Sequence, residues 1–297
     1  MSDLIFRFAP SPNGHLHLGH AFSALVSHDM AKKAGARFLL RVEDIDVVRC
    51  RPEFETQMLD DLAWLGLEWE APVRRQSEHF ETYRRALEKL EAMGLLYPCF
   101  ATRKEIAAQA VPGERDPDGA PLYPGLHKNL SDEDIARRKD AGEPFALRLD
   151  MEKALARAQE IAPDPFTFRE TNRDMTDTEV IATAPPRWGD AVIARKDVPT
   201  SYHLSVVVDD ALQGVTHVTR GRDLFAATDI HRLLQVLLGL PEPVYHHHTL
   251  LMAADGRKLS KSHGDRSLKS LRDDGATAQD IRELISGHAV QDPVASP

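Results

Sequence analysis

Two short stretches carry residue types suited to phosphate chemistry. RFAPSPNGHLHLGH begins at Arg7 and crowds three histidines against two prolines and two glycines. His17 and His20 stand either side of Gly19, a residue that lets backbone approach a ligand closely. Imidazoles beside a helix N-terminus, with its free N–H groups and positive dipole end, suit an anion, above all a phosphate gaining charge in a transition state. The second stretch is KLSKS, Lys258 to Ser262. Two lysines three apart, in a loop with Gly256, Ser260 and Ser262, can wrap a polyphosphate, because lysine is a flexible point charge. Alone, the first stretch reads as a surface turn with exposed histidines and the second as a solvated basic loop. Together, one early and one late, they point to a nucleotide.

These residues need elements to place them. LIFRFAP (4–10) predicts a strand that stops at Pro10. Phe22, Leu25, Val26 and Met30 fall on one face of a helix beginning near Gly19, ended by Gly35. RFLLRVED (37–44) predicts a second strand. Strand, turn, helix and strand in about forty residues form a βαβ unit of a parallel sheet. His17 and His20 then lie beyond the carboxyl ends of the strands, where open parallel sheets bind ligands. Pro52 opens another helix, and Phe80, Tyr83, Leu87 and Leu90 mark one more, closed near Gly94. The Pro-, Gly- and Asp-rich run 110–125 predicts a loop. Around it Thr102 with Glu105, and Ser131 with Asp134, have capping-box spacing. This middle part is expected to be an insertion between two halves of a sheet, which DAVIARK (190–196) and VTHVTRG (215–221) resume. A helix carrying Ile230, Leu233, Leu234, Leu237 and Leu238 follows. The residues from Gln291 onward are expected to be frayed.

At 297 residues the chain can bury a sizeable core in one large domain or two. The net charge of −9 argues against indiscriminate nucleic-acid binding but leaves room for a specific RNA met by a local basic face. Two cysteines make no disulfide framework, and a reducing cytoplasm is expected. No apolar run is long enough to span a bilayer, and the N-terminus does not read as a signal peptide.

HLGH and KLSKS resemble the two signatures of class I aminoacyl-tRNA synthetases. RFAPSPNGHLHLGH, RVEDID (41–46) and THVTRGRDL (216–224) resemble the glutamyl and glutaminyl branch. The likeness runs from residue 5 to about 265. SYHLSVVVDDALQGVTHVTRGRDLFAAT, and an end soon after KLSKS, resemble the short paralogues of that branch. Those enzymes activate glutamate and transfer it to queuosine in the anticodon of tRNA(Asp).

The resemblance implies an α/β fold: a Rossmann-type parallel sheet with an inserted α+β subdomain and a short helical C-terminal part. The expected division is 1–96 and 190–240 for the two halves of the catalytic domain, 97–189 for the insertion, and 241–297 for the KLSKS loop and a short helical stem-contact region, with no separate anticodon-binding domain. L-glutamate, ATP with Mg2+ and tRNA(Asp) carrying queuosine are the expected substrates and partners, with no membrane. His17, His20, Lys258 and Lys261 are the expected catalytic residues. Gly19, Ser260 and Ser262 join them around ATP. Arg7 and Arg220 would fork the two carboxylates of glutamate, in an order left open. Glu43 would take the ammonium, and Ala9, Ser11 and Tyr202 would complete the pocket. Arg41 and Asp44 read as a surface pair; Asp209 with Asp210, though tempting as magnesium ligands, reads as a solvated cap.

Related short enzymes often carry zinc on C-x-C and Y-x3-C. Here Cys99 remains, Ala101 replaces the second cysteine, Tyr123 remains, and His127 replaces the last. One thiolate, one imidazole and a phenol make a poor tetrahedral set, so no zinc is expected; a weak site through Cys99 and His127 is the alternative. Cys50 reads as a small buried hydrophobe. In YHHHT (245–249), alternation along a strand forbids three consecutive histidines from meeting on one ion. The Arg84–Arg85 and Arg137–Arg138 pairs read as solvated helix faces. Two other readings stay open: a truncated glutamyl-tRNA synthetase charging the 3′ end of tRNA(Glu), and a non-catalytic RNA-binding paralogue.

Overall fold

A computed structural model describes residues 3–252, 266–287 and 290–291. β1 (Ile5–Phe8), α1 (Leu18–Lys33) and β2 (Arg37–Val42) form the expected unit, with β1 and β2 parallel. α2 (Pro52–Trp64) begins at its proline, and β3 (Glu70–Arg75) pairs parallel with β2. α3 (Phe80–Ala92) leads to β4 (Leu96–Cys99). α4 (Arg103–Gln109) is closed at its start by the Thr102–Glu105 capping box, and α5 (Asp132–Asp140) by the Ser131 hydroxyl. β5 (Ala146–Leu149), α6 (Met151–Ile161), the hairpin β6 (Thr167–Thr171) and β7 (Thr178–Ala182), and β8 (Val192–Ala194) follow. α7 (Tyr202–Leu212), β9 (His217–Gly221), α8 (Thr228–Leu238), β10 (Val244–His248) and β11 (Leu250–Leu251) complete the central part. α9 (Leu268–Asp273), α10 (Ala278–Gly287) and β12 (Val290–Gln291) come last.

The large sheet has seven strands in the order β3-β2-β1-β9-β10-β6-β7, parallel except for the β6–β7 hairpin. A second, antiparallel sheet has the order β4-β5-β8. Two sequence expectations change here. The strand in DAVIARK does not resume the large sheet. It pairs with β5, and Ile193 is buried among Leu149, Leu204 and Trp188 in the core beneath the small sheet. Of the terminal residues expected to be frayed, Gln291 pairs antiparallel with Leu250, and 292–297 lie outside the described residues.

Strand alternation sorts the buried residues of the large sheet onto two faces. Phe6, Phe8, Phe38, Leu40 and Val42 join α1, α2, α9 and α10 in one core. Arg7 and Arg41 necessarily point to the other face, towards α7. There, Arg41 is fully buried. Its Nη1 donates to Asp210 at 2.7 Å and to Gln213 at 3.0 Å, and its Nη2 to Glu43 at 3.2 Å. Asp210 also accepts from Arg7, while Asp209 accepts from Arg74, Gln76 and the Tyr83 hydroxyl. The reading of Arg41 with Asp44 as a surface pair is therefore corrected, as is the solvated Asp209–Asp210 cap. Asp44 instead accepts from the Ser77 amide and hydroxyl. β2 is buried along all but its first residue, so a charge in its middle has no route to water.

Arg84 and Arg85 pair with Glu81, and Arg137 with Asp134, on exposed helix faces as expected. Arg138 departs from that reading: it is half-buried, paired with Glu143 and set over the Phe100 ring. No helix among the described residues is long and apolar enough to cross a membrane.

Removing Arg41 leaves two buried carboxylates short of a cation, which costs about 3–5 kcal/mol. Arg41→Met, keeping chain length without charge, should lose stability on that scale in urea unfolding. A loss below about 1 kcal/mol, the scale of a surface ion pair, would show that the carboxylates do not depend on it.

Candidate active site

The first loop closes on α1 through its histidines. His17 is the N-cap: its Nδ1 accepts the Gly19 N–H at 3.1 Å, and His20 Nδ1 accepts the His17 N–H at 3.2 Å. This is a capping box built from imidazoles rather than the usual hydroxyl and carboxylate. A neutral ring accepting through Nδ1 carries its proton on Nε2, so both rings are N–H donors there. Gly19 has a reason that the sequence did not reveal. A Cβ at this position would meet the His17 ring at 2.9 Å.

Beyond the carboxyl ends of β1, β2, β9 and β10 lies a cavity of about 470 Å³. Every predicted ATP- or glutamate-site residue that is described lines it: Arg7, Ala9, Ser11, His17, Gly19, His20, Glu43, Tyr202 and Arg220. Phe22, Gly221, Asp223, His248 and Leu251 are also on its wall. Lys258, Ser260, Lys261 and Ser262 lie outside the described residues. The chain on either side of them adjoins the first signature, because Leu251 lines the cavity and the Leu268 N–H donates to the Leu16 carbonyl at 2.8 Å.

The charges in the cavity are organised by burial. Burial pushes the Glu43 carboxyl above its ordinary range, against the pull of Arg41 and Arg7. A substrate cation would reverse that balance. Asp210 is held low despite burial, because Arg7 and Arg41 both face it. Arg7 also donates to the Thr219 carbonyl at 3.2 Å. Arg220 is ringed by His247, His231 and Thr228. The three histidines of YHHHT go separate ways: His246 to the Thr171 carbonyl, His247 to Glu170 and Arg220, His248 to the Thr249 carbonyl. Glu170, Thr228 and His231 were not singled out from sequence. Glu170 lies on β6 and Thr228 and His231 on α8, and only the fold brings these two elements around Arg220.

A second cavity of about 340 Å³ shares Ser11, Glu43 and Tyr202 with the first. Its remaining wall includes Asp46, Arg49, Gln76, Arg195 and His203, with Arg195 donating to Asp46 at 3.3 Å. Cys50 is half-buried, with its Sγ 3.6 Å from the Ser11 hydroxyl.

In the small-sheet region the four positions of the degenerate zinc motif come together without making a ligand set. The Cys99 thiol donates to the Tyr123 hydroxyl at 3.3 Å, and the His127 N–H donates to that hydroxyl at 2.9 Å. His127 Nδ1 accepts the Phe100 and Ala101 amides at 3.1 and 3.2 Å. Burial pushes the Tyr123 phenol above its ordinary range, so it stays protonated. One thiol, one remaining imidazole nitrogen and a neutral phenol do not fit a tetrahedral zinc.

Residues 3–288 match the family described as tRNA synthetases class I (E and Q), catalytic domain. The chain belongs to that family. It is 49% identical over 288 residues to a protein of Rhodobacter capsulatus named Glutamyl-Q tRNA(Asp) synthetase, covering 95% of this chain and 99% of that one. It is 36% identical over 280 residues to the Aquifex aeolicus glutamate-tRNA ligase, covering 93% of this chain but 55% of the ligase. A glutamate-tRNA synthetase structure from Elizabethkingia anophelis has the same fold, with a TM-score of 0.72 and 23% identity, covering 96% of this chain and 61% of that one.

The buried imidazoles make stability depend on pH. Burial lowers His203, His247 and His248 from 6.5 to about 4, and takes His231 well below 6.5. Unfolded, each binds a proton near 6.5; folded, His203, His247 and His248 resist until about 4, and burial makes His231 resist as well. Stability is therefore greatest above pH 6.5 and falls as pH drops towards 4, by about 1.4 kcal/mol per pH unit for each histidine. Urea unfolding at pH 8, 6 and 5 should show the fall, and His203→Asn should reduce its slope. An unchanged slope in that variant would show that His203 is protonated in the folded chain.

Proposed function

We propose that the protein activates L-glutamate with ATP, without tRNA, and transfers the glutamyl group to queuosine in the anticodon of tRNA(Asp). One observation carries the reading. A single cavity joins a histidine-capped helix N-terminus to two buried arginines and a partly buried glutamate, matching a phosphate chain together with an amino acid of two carboxylates and one ammonium. The 49% identity to a relative bearing that name, over nearly its whole length, supports the acceptor.

In this reading His17, Gly19 and His20 face the phosphates of ATP, and Lys258, Ser260, Lys261 and Ser262 belong to the same ATP-binding set. Magnesium arrives with ATP and neutralises phosphate oxygens. Arg7, Ala9, Ser11, Glu43, Tyr202 and Arg220 hold glutamate. The α-carboxylate attacks the α-phosphorus and pyrophosphate leaves; positioning and charge stabilisation suffice, with no covalent enzyme intermediate. A hydroxyl of the queuosine cyclopentenediol then attacks the glutamyl carbonyl, and AMP leaves. The second cavity reaches the same residues Ser11, Glu43 and Tyr202, giving the acceptor a path to the activated carboxyl. The division into 1–96, 97–189, 190–240 and 241–297, and a cytoplasmic location, belong to this proposal.

ATP–pyrophosphate exchange should proceed with glutamate when tRNA is omitted. tRNA(Asp) bearing queuosine should then accept glutamate, while the same tRNA with guanosine should not, and periodate treatment should abolish acceptance by destroying the diol. Efficient charging of tRNA(Glu) at its terminal adenosine would overturn the assignment in favour of a truncated glutamyl-tRNA synthetase.

The purified protein should also carry no stoichiometric zinc. About one zinc per chain by elemental analysis, lost in Cys99→Ala, would contradict this.

A further inference from the structure

Arg7 and Arg220 line the same cavity but are held in opposite ways. Arg7 is neutralised by Asp210, whose two oxygens take its Nε and Nη2. Arg220 meets uncharged acceptors. Its Nε donates to His247 Nε2 at 3.0 Å, its Nη1 to His231 Nδ1 at 2.9 Å, and its Nη2 to the Thr228 hydroxyl at 2.7 Å. Among the described residues no carboxylate is ion-paired with it. A guanidinium has five N–H groups, so these bonds leave two for a ligand.

The histidine tautomers follow from the donors. Arginine cannot accept, so each imidazole nitrogen facing it is unprotonated. His247 therefore carries its proton on Nδ1, which donates to Glu170 Oε2 at 2.8 Å. The other Glu170 oxygen takes the His247 backbone N–H at 2.7 Å. His231 carries its proton on Nε2 and donates to His203 Nδ1 at 3.2 Å. Burial, assisted by the charge of Arg220, keeps both rings neutral. Glu170 is held low against its own burial by these two His247 bonds. It stands one imidazole away from the guanidinium, so it orients His247 rather than pairing with Arg220.

We propose that Glu170 and His247 are positioning residues that keep Arg220 an uncompensated cation, so that a carboxylate of the substrate becomes its charge partner. The proposal rests on the glutamate-activating reading above. Glu170 fixes the one His247 tautomer that Arg220 tolerates, because a carboxylate can only accept. A glutamine in its place could donate to Nδ1 and turn an N–H towards the guanidinium.

Two substitutions test this in ATP–pyrophosphate exchange. Glu170→Gln should raise KM for glutamate on the order of tenfold, the worth of one hydrogen bond to a charged group, with KM for ATP unchanged. Thr228→Asp and Thr228→Asn are alike in size, but only the first sets a carboxylate beside Nη2. The aspartate should raise KM for glutamate well beyond the asparagine. The unchanged KM for ATP reports that the cavity is still folded. If Thr228→Asp and Thr228→Asn behave alike, or Glu170→Gln keeps the wild-type KM for glutamate, the proposal is overturned while the functional reading stands. If the wild-type protein exchanges no pyrophosphate with glutamate, both fall together.

Discussion

The site depends on one constraint: two arginines on the buried face of a parallel sheet must find counter-ions there. Arg7 and Arg41 sit on neighbouring strands and share Asp210 from α7. A buried charge left unpaired is far more costly than a buried pair, so α7 is pinned over β1 and β2 at one register. That pinning also sets Tyr202 at the start of α7 and Glu43 just beyond β2, both on the cavity wall. The ions contribute placement more than net stability, since a well-packed apolar trio could hold the same helix.

The two arginines of the cavity then divide the work. Arg7 reaches the cavity with its charge already shared with Asp210, which also serves Arg41. Arg220 is held by neutral rings that fix its direction and leave its charge in place. Two like side chains on the wall of one cavity are thus prepared differently by their neighbours alone. A direct comparison of the two side chains, without those neighbours, would miss the distinction.

What could be read from the sequence was local. The strand, the histidine turn and α1 lie within a few dozen residues, and their spacing was enough to place His17, Gly19 and His20 at a crevice. Arg7, Glu43, Tyr202 and Arg220 came through resemblance, and they do meet in one cavity. What stayed hidden was non-local. Arg41 and Asp210 are 169 residues apart, and nothing near either announces the other. The warning was available in RFLLRV, since a central parallel strand has no wet face to take an arginine. β8 was assigned to the wrong sheet because three residues carry no register of their own. Glu170 lies in a short strand whose neighbours gave no sign of a site, and its partner His247 was hidden in a row of like residues.

The tight corner at the start of α1 has a further consequence. Position 19 is held to glycine by the ring two residues earlier, which lies where a side chain would begin. That ring cannot swing aside without uncapping the helix it starts. The choice of residue at 17 thus fixes the choice at 19, and His20 is tied to 17 through the reciprocal bond. The three positions thus work as one unit: a change at any of them reaches the other two through the cap.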